Sequence, residues 1–397
     1  MADIGILTAQ NQDRRRGQIH VYDGDGKGKS QAALGVVLRS IGLGIEDQAP
    51  SRVLLMRFLK GPGRQYAEDA AIEALQRGFP HLIDQLRTGR GEYFDESGIT
   101  KFDRQEARRG WDVAKGALAS GFYSVVVLDE LNPVLDLGLL PIDEVVSTLR
   151  RKPNHLEVIA TGRGAPESLV EIADLHSEMR PVRAASDSHD GFAYLGNGNG
   201  NGSSNGNGDG RHHAFSGIEI YTGAGKGKST SALGRALQAI GRGISKDLSH
   251  RVLIMQWLKG GSGYTEDAAI RALRQTYPEL VDHQRCGRDA IVWRGKQQEI
   301  DYVEAERGWE LAKAAITSGL YKTIILDELN PTVDLELLES EPIVQALLRK
   351  PKDTEVIITG RCHDTLPYFD LATVHSEMVC HKHYAEHGAD LKRGVDY

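Results

Sequence analysis

The sequence predicts an α/β protein of two P-loop NTPase-type domains, each a mostly parallel sheet covered by helices on both faces. Three observations lead there. A glycine- and lysine-rich turn occurs twice, each time between a β-like run and a helix-like run. A series of other segments recurs in the same order, with the copies about 199 residues apart, as from Gly24 to Gly223. The strand-like segments are apolar throughout rather than alternating, which marks strands buried on both faces and separated by helices.

Residues 1–16 are polar and are expected to form a flexible N-terminus. The first domain, 17–195, opens with a strand over Gln18–Tyr22, then Gly24-Asp25-Gly26-Lys27-Gly28-Lys29-Ser30, then a helix through Ala32–Ile41. The second domain, 211–397, repeats this as Ile218–Tyr221, Gly223-Ala224-Gly225-Lys226-Gly227-Lys228-Ser229 and Ser231–Ile240. Strand, glycine-rich turn and Gly-Lys-Ser opening a helix form a phosphate-binding arrangement. Glycines let backbone N–H groups turn around an anion, and the helix N-terminus adds positive dipole. Lys29 and Lys228 are expected on the outer phosphates, with Ser30 and Ser229 on Mg²⁺. Gly24, Gly26, Lys27 and Gly28, with Gly223, Gly225, Lys226 and Gly227, complete the two ATP cradles. Asp23 and Thr222 stand where the usual pattern has its first glycine, so the turn is a variant. One such turn alone reads equally well as a surface loop; two in the same setting favour phosphate binding.

Further strands are expected over Val53–Met56, Val125–Leu128 and Val158–Ala160, with Val252–Met255, Ile324–Leu326 and Val356–Ile358 as their copies. Helix-period segments lie between them at Arg104–Ala119 and Ile142–Arg150, and at Glu304–Thr317 and Pro342–Arg349. Leu128-Asp129-Glu130 and Leu326-Asp327-Glu328 end apolar strands as Walker B segments do, so Asp129, Glu130, Asp327 and Glu328 are candidates for the Mg²⁺ that accompanies nucleotide phosphates. The glutamates are favoured over the aspartates. Arg163 and Arg361, in repeated Thr-Gly-Arg triplets, suit either a phosphate clamp or a helix cap.

Gly196–Gly210 contains only Gly, Asn, Ser and one Asp and cannot bury a core. Such a linker spans about 20 Å, enough for the halves to pack side by side. The net charge of −7 argues against a general nucleic-acid binder. No apolar run reaches membrane-spanning length and no signal-peptide core is present, so a cytoplasmic protein with no membrane partner is expected. The three cysteines, Cys286, Cys362 and Cys380, do not suggest a disulfide framework. Cys380-His381-Lys382-His383 matches no zinc spacing.

The ordered set Gly-x-Gly-Lys-Gly-Lys-Ser, Met-x-Phe/Trp-Leu-Lys-Gly, the Trp111 and Trp309 helices, Leu-Asp-Glu-Leu-Asn, Thr-Gly-Arg and Gly394-Val395-Asp396-Tyr397 resembles the ATP:corrinoid adenosyltransferases that act on cob(I)alamin or cob(I)yrinic acid a,c-diamide. The resemblance covers roughly 18–185 and 216–397, as a tandem duplication. It implies a P-loop enzyme of cobalamin biosynthesis or salvage that binds Mg-ATP. Co(I) of the corrinoid attacks the ribose 5′ carbon and tripolyphosphate leaves. It also implies a flavoprotein as an external reductant, and homodimers among relatives, so that the tandem chain is an internal pseudo-dimer. Two departures stand out. The family's aromatic corrinoid segment corresponds to Gly89–Asp95 and Gly287–Trp293, leaving Phe94 and Trp293 as candidate corrinoid contacts. The family's closing Arg-Pro-Val-Lys-His and Gly-Ile-Asp-Tyr motifs are divided between the halves, as Arg180-Pro181-Val182-Arg183 in one and Lys382-His383 with Gly394–Tyr397 in the other. The alternative reading is therefore an ATP-binding regulatory or scaffold protein with a degenerate corrinoid site.

Overall fold

In the first half β1 (Ile19–Asp23) lies one residue later than the expected Gln18–Tyr22, and the other apolar runs form strands slightly longer than the sequence predicts: β2 (Val53–Arg57), β4 (Val125–Asp129) and β5 (Glu157–Thr161). Two less apolar strands join them, β3 (Ile83–Arg87) and β6 (Leu175–Arg183). The second half repeats the set as β7 (Ile218–Thr222), β8 (Val252–Gln256), β9 (Val281–Arg285), β10 (Thr323–Asp327), β11 (Glu355–Thr359) and β12 (Val374–Lys382). The computed structural model describes residues 16–47, 51–61, 63–91, 95–183, 217–246, 248–388 and 390–397. Phe94 and the linker 196–210 lie outside the described residues.

All twelve strands form one sheet in the order β3-β2-β4-β5-β1-β6-β12-β7-β11-β10-β8-β9. Pairing is parallel within each half. Among the described residues only the central β6–β12 pair is antiparallel, with Met179 opposite Met378. The halves thus share a sheet rather than merely lying side by side.

The helices are α1 (Lys29–Asp47), α2 (Asp69–Gly78), α3 (Lys101–Ser120), α4 (Leu131–Asp136), α5 (Ile142–Arg150) and α6 (Glu167–Ile172) in the first half. In the second they are α7 (Lys228–Ser245), α8 (Glu266–Thr276), α9 (Glu299–Ser318), α10 (Leu329–Asp334) and α11 (Ser340–Leu348). Alternate strand residues feed separate cores. Leu54, Met56, Val126 and Leu128 pack under Trp111 of α3 in a core private to the first half. Leu253, Met255, Ile324 and Leu326 do the same under Trp309 of α9. The opposite face carries one core common to both halves, including Val36 and Val37 of α1 and Ala236 and Leu237 of α7. Among the described residues no helix is long and apolar enough to cross a membrane.

The common core brings α1 and α7 into backbone contact. A Cβ on Gly35 would lie 1.9 Å from Thr230 O, and one on Gly234 would lie 1.9 Å from Gln31 O. Neither neighbour is a flexible side chain, so the helices must separate to admit a methyl group. The halves also cap each other. Arg183 of β6 donates to the Asp370 and Ala372 carbonyls at 2.6 and 3.0 Å. Lys382 of β12 donates to the Val170 and Glu171 carbonyls at 2.9 and 3.0 Å, at the end of α6. Both place a cation at a negative helix terminus, Arg183 at the end of the short 3-10 helix Pro367–Leu371 and Lys382 at the end of α6.

Two measurements check this packing. Gly35→Ala and Gly234→Ala are each expected to cost about 2–3 kcal/mol by overpacking, read as a lower urea midpoint at unchanged m-value. His250 gives a pH signature. Burial, then the charges of Arg242, Lys246, Lys322 and Arg235, push its pKa down to about 3. Its ring lies 2.9 Å from Thr323 Oγ1. The folded state holds it neutral while the unfolded chain protonates it, so its contribution is full above about pH 6.5 and is lost as pH falls toward about 3. At about pH 5 the loss should be about 2 kcal/mol, and His250→Gln should shrink the stability difference between neutral and acidic buffer.

Candidate functional site

Each phosphate loop starts where the first strand of its half ends. Gly24 and Gly28 adopt φ of 93° and 118°, conformations that a side chain disfavours, and α1 begins at Lys29. Gly223 and Gly227 repeat this with φ of 94° and 119°. The loops are tied to the central strands: Gly26 N donates to Met179 O and Gly225 N to Met378 O, each at 2.6 Å. Lys29 Nζ rests 2.6 Å from Gly26 O, and Lys228 Nζ 2.7 Å from Gly225 O. Asp23, in the variant position, accepts from Gly24 N at 2.6 Å and Ala165 N at 3.4 Å. In the second loop Thr222 Oγ1 lies 2.7 Å from His375 Nε2.

The neighbouring carboxylates separate into different tasks. Asp129 is buried, pairs with Lys60 and accepts from Thr161 Oγ1 at 2.7 Å. Asp327 pairs with Lys259 at 2.5 Å and accepts from Thr359 Oγ1 at 2.6 Å. Glu130 and Glu328 stand next to them in left-handed backbone, both with φ of 62°. Their amides donate to the same Thr161 and Thr359 hydroxyls, at 3.2 and 3.1 Å. Their carboxylates turn to the phosphate loops, where Ser30 Oγ lies 3.5 Å from Glu130 and Ser229 Oγ lies 3.0 Å from Glu328. The lysine–aspartate–threonine chain thus holds a strained backbone that aims each glutamate. Although burial opposes ionisation of Asp129, the Lys60 ammonium holds its carboxyl below the usual carboxylate range.

Lys60 and Lys259 are the site residues that motif reading leaves out. Their signal is the repeated Leu-Lys-Gly after an apolar strand, Leu59-Lys60-Gly61 and Leu258-Lys259-Gly260. A lysine so close to a buried strand needs a counter-charge.

The remaining candidates lie as follows. The Lys226 side chain turns away from the phosphate cradle and is held by Tyr384 Oη at 2.7 Å and by the Asp396 carboxylate. The Lys27 amide donates to Ser376 Oγ across the halves at 3.0 Å. Arg163 lies exposed on the rim, 3.4 Å from Asp25, and Arg361 is likewise exposed. Trp293 is 62% exposed on the segment between β9 and α9. A cavity of about 370 Å³ opens beside the second phosphate loop, lined by Thr222, Gly223, Cys362, His375 and Glu377, with Arg183 from the first half.

A family model, ATP:corrinoid adenosyltransferase BtuR/CobO/CobP, matches residues 15–192 and again 216–397. The chain belongs to this family. The double match agrees with the repeated fold. The chain is 72% identical over 396 residues to an uncharacterised protein of Nostoc sp. (strain PCC 7120), a match covering 99% of both chains. It is 36% identical over 185 residues to the corrinoid adenosyltransferase of Escherichia coli (strain K12), covering 47% of this chain and 87% of that protein. Corrinoid adenosyltransferase CobA of Salmonella typhimurium is 34% identical over 185 residues, with the same coverage.

The buried lysines can be tested directly. Lys60→Met strands Asp129 without its cation and should cost about 3–5 kcal/mol. Adding Asp129→Asn should recover part of that loss. A double-mutant cycle in urea measures the coupling.

Proposed function

We propose that this chain is a corrinoid adenosyltransferase, moving the 5′-deoxyadenosyl group of ATP to Co(I) of a corrinoid. The electron pair comes from the corrinoid's cobalt and forms the cobalt–carbon bond. The ribose C5′–O bond breaks, and its electrons leave with tripolyphosphate. The carrying observation is the placement, twice in one sheet, of a lysine–serine phosphate loop facing a glutamate that a buried lysine–aspartate pair has aimed. Because the nucleophile belongs to the substrate, no serine or cysteine nucleophile is required of the protein.

The protein's part is to bind and position. The amides where each loop enters its helix, at residues 28–30 and 227–229, would hold the phosphates, and Lys29 and Lys228 would exchange their loop carbonyls for phosphate oxygens. Ser30 with Glu130, and Ser229 with Glu328, present hard oxygen donors that fit Mg²⁺. Bound there, the ion would neutralise charge on the tripolyphosphate leaving group. Asp129 and Asp327, each occupied by its lysine, serve in this reading as supports for the glutamates. The tandem chain acts as an internal pseudo-dimer, and a reducing partner supplies Co(I).

The test is anaerobic incubation with ATP, Mg²⁺ and chemically reduced cobalamin, followed by absorbance. The expected result is a light-sensitive cobalt–carbon product with stoichiometric tripolyphosphate. Lys29→Ala and Lys228→Ala should each lower turnover, and the double variant should abolish it. Tight ATP binding with no corrinoid-induced spectral change would instead support the regulatory reading, which the altered segment around Trp293 favours. Release of orthophosphate would overturn both.

A further inference from the structure

The two halves repeat each other's fold but not each other's charges where they meet. Glu68, at the start of α2, is buried, and Arg57 from β2 of its own half donates to it at 2.9 Å. From the opposite half, Gln238 of α7 reaches the other Glu68 oxygen at 3.2 Å. At the equivalent place in the second half, Glu266 opens α8 and is fully buried. Here Gln256 stands where Arg57 would be, and it turns to Asp327 and His283 instead, both at 2.9 Å. The guanidinium on Glu266 comes from the opposite half, as Arg39 of α1 at 3.2 Å. Arg39 is the counterpart of Gln238, and the second Glu266 oxygen has no hydrogen-bond partner among the described residues. The cation on the buried glutamate is therefore carried by the strand in one junction, where Arg57 also holds Asp69 at 2.7 Å, and by the partner helix in the other, where the strand glutamine faces away.

A second asymmetry has the same sense. In the second half Arg235 neutralises Glu219, at 3.3 Å, and Glu355. Its counterpart in the first half is Val36. There Glu157 receives Lys392 at 2.7 Å, from the C-terminal segment of the second half. The corresponding stretch of the first half, 184–195, contains no lysine or arginine.

We propose that these buried charges form a pairing code, by which each half accepts the other and rejects a copy of itself. Two second halves would set Gln238 and Gln256 around Glu266 and leave a buried carboxylate without a guanidinium. Two first halves would bring Arg39 onto a glutamate that Arg57 already holds, and would leave Glu157 without Lys392. Unpaired buried charge is the costly error in a protein interior, so the discrimination is electrostatic and does not depend on the shape of the apolar core. The inference rests on contacts between the halves and stands apart from the adenosyl-transfer reading.

The experiment uses the full chain and the urea unfolding midpoint. Arg39→Gln reproduces the junction of two second halves, and Gln238→Arg that of two first halves. Both should lower the midpoint, whereas Gln238→Met should lower it less than Gln238→Arg. Adding Gln256→Arg to Arg39→Gln moves the cation from helix to strand, as in the first junction, and should restore most of the loss. Should Arg39→Gln fail to fold, Arg57→Gln with and without Gln238→Arg tests the mirror arrangement, where the double variant should again be the more stable. A parental midpoint for both Arg39→Gln and Gln238→Arg would overturn the code. So would double variants whose losses equal the sum of the singles.

Discussion

The structure depends on two hydrogen bonds that fasten the phosphate loops to the middle of the sheet, from Gly26 N to Met179 O and from Gly225 N to Met378 O. The accepting methionines face each other in the central antiparallel strand pair of the sheet. Loop shape and association of the halves are therefore one constraint. Ser231 Oγ, in the first turn of α7, donates across to Gly28 O at 2.9 Å, and the Lys27 amide donates across to Ser376 at 3.0 Å. A half removed from its neighbour would lose partners for the backbone of its glycine-rich loop. The close helix crossing at Gly35 and Gly234 follows from the same geometry, since both helices start at these loops.

Much of the fold was legible in the sequence because the strands that build it are apolar on both faces. Val53–Arg57 and Val125–Asp129 pack one side chain set into the private core and the next into the common core, so they carry no polar alternation. The strands passed over are those with mixed residues. Ile83-Asp84-Gln85-Leu86-Arg87 sits at the sheet edge, where Asp84 binds Arg52 and Tyr123. Leu175–Arg183 is not expected as a strand from the sequence, yet it joins the halves because His176–Arg183 pairs with β12 along its length. Strand pairing between distant segments leaves no local pattern to read.

The phosphate loops were legible because glycine spacing reports backbone conformation directly. Residues whose roles come from three-dimensional contact were not. Nothing in the spacing of Lys60 and Asp129 reveals that they meet, and their pairing is what divides the work between Asp129 and Glu130. The two lysines of each loop look alike in sequence, but Lys228 stays in its own loop while Lys226 is drawn off to Asp396 and Tyr384. The second loop is thus fixed by a segment more than a hundred residues further on, as the Lys226–Tyr384 separation of 158 shows.

That same segment lies across the first half. Ser40 donates to Gly394 O at 2.8 Å, Arg393 holds Asp47, and Lys392 holds Glu157, 235 positions earlier in the chain. During vectorial synthesis Glu157 leaves the ribosome long before Lys392 has been added. The half that is made first therefore stays without this counter-charge until a segment more than two hundred residues behind it has been translated.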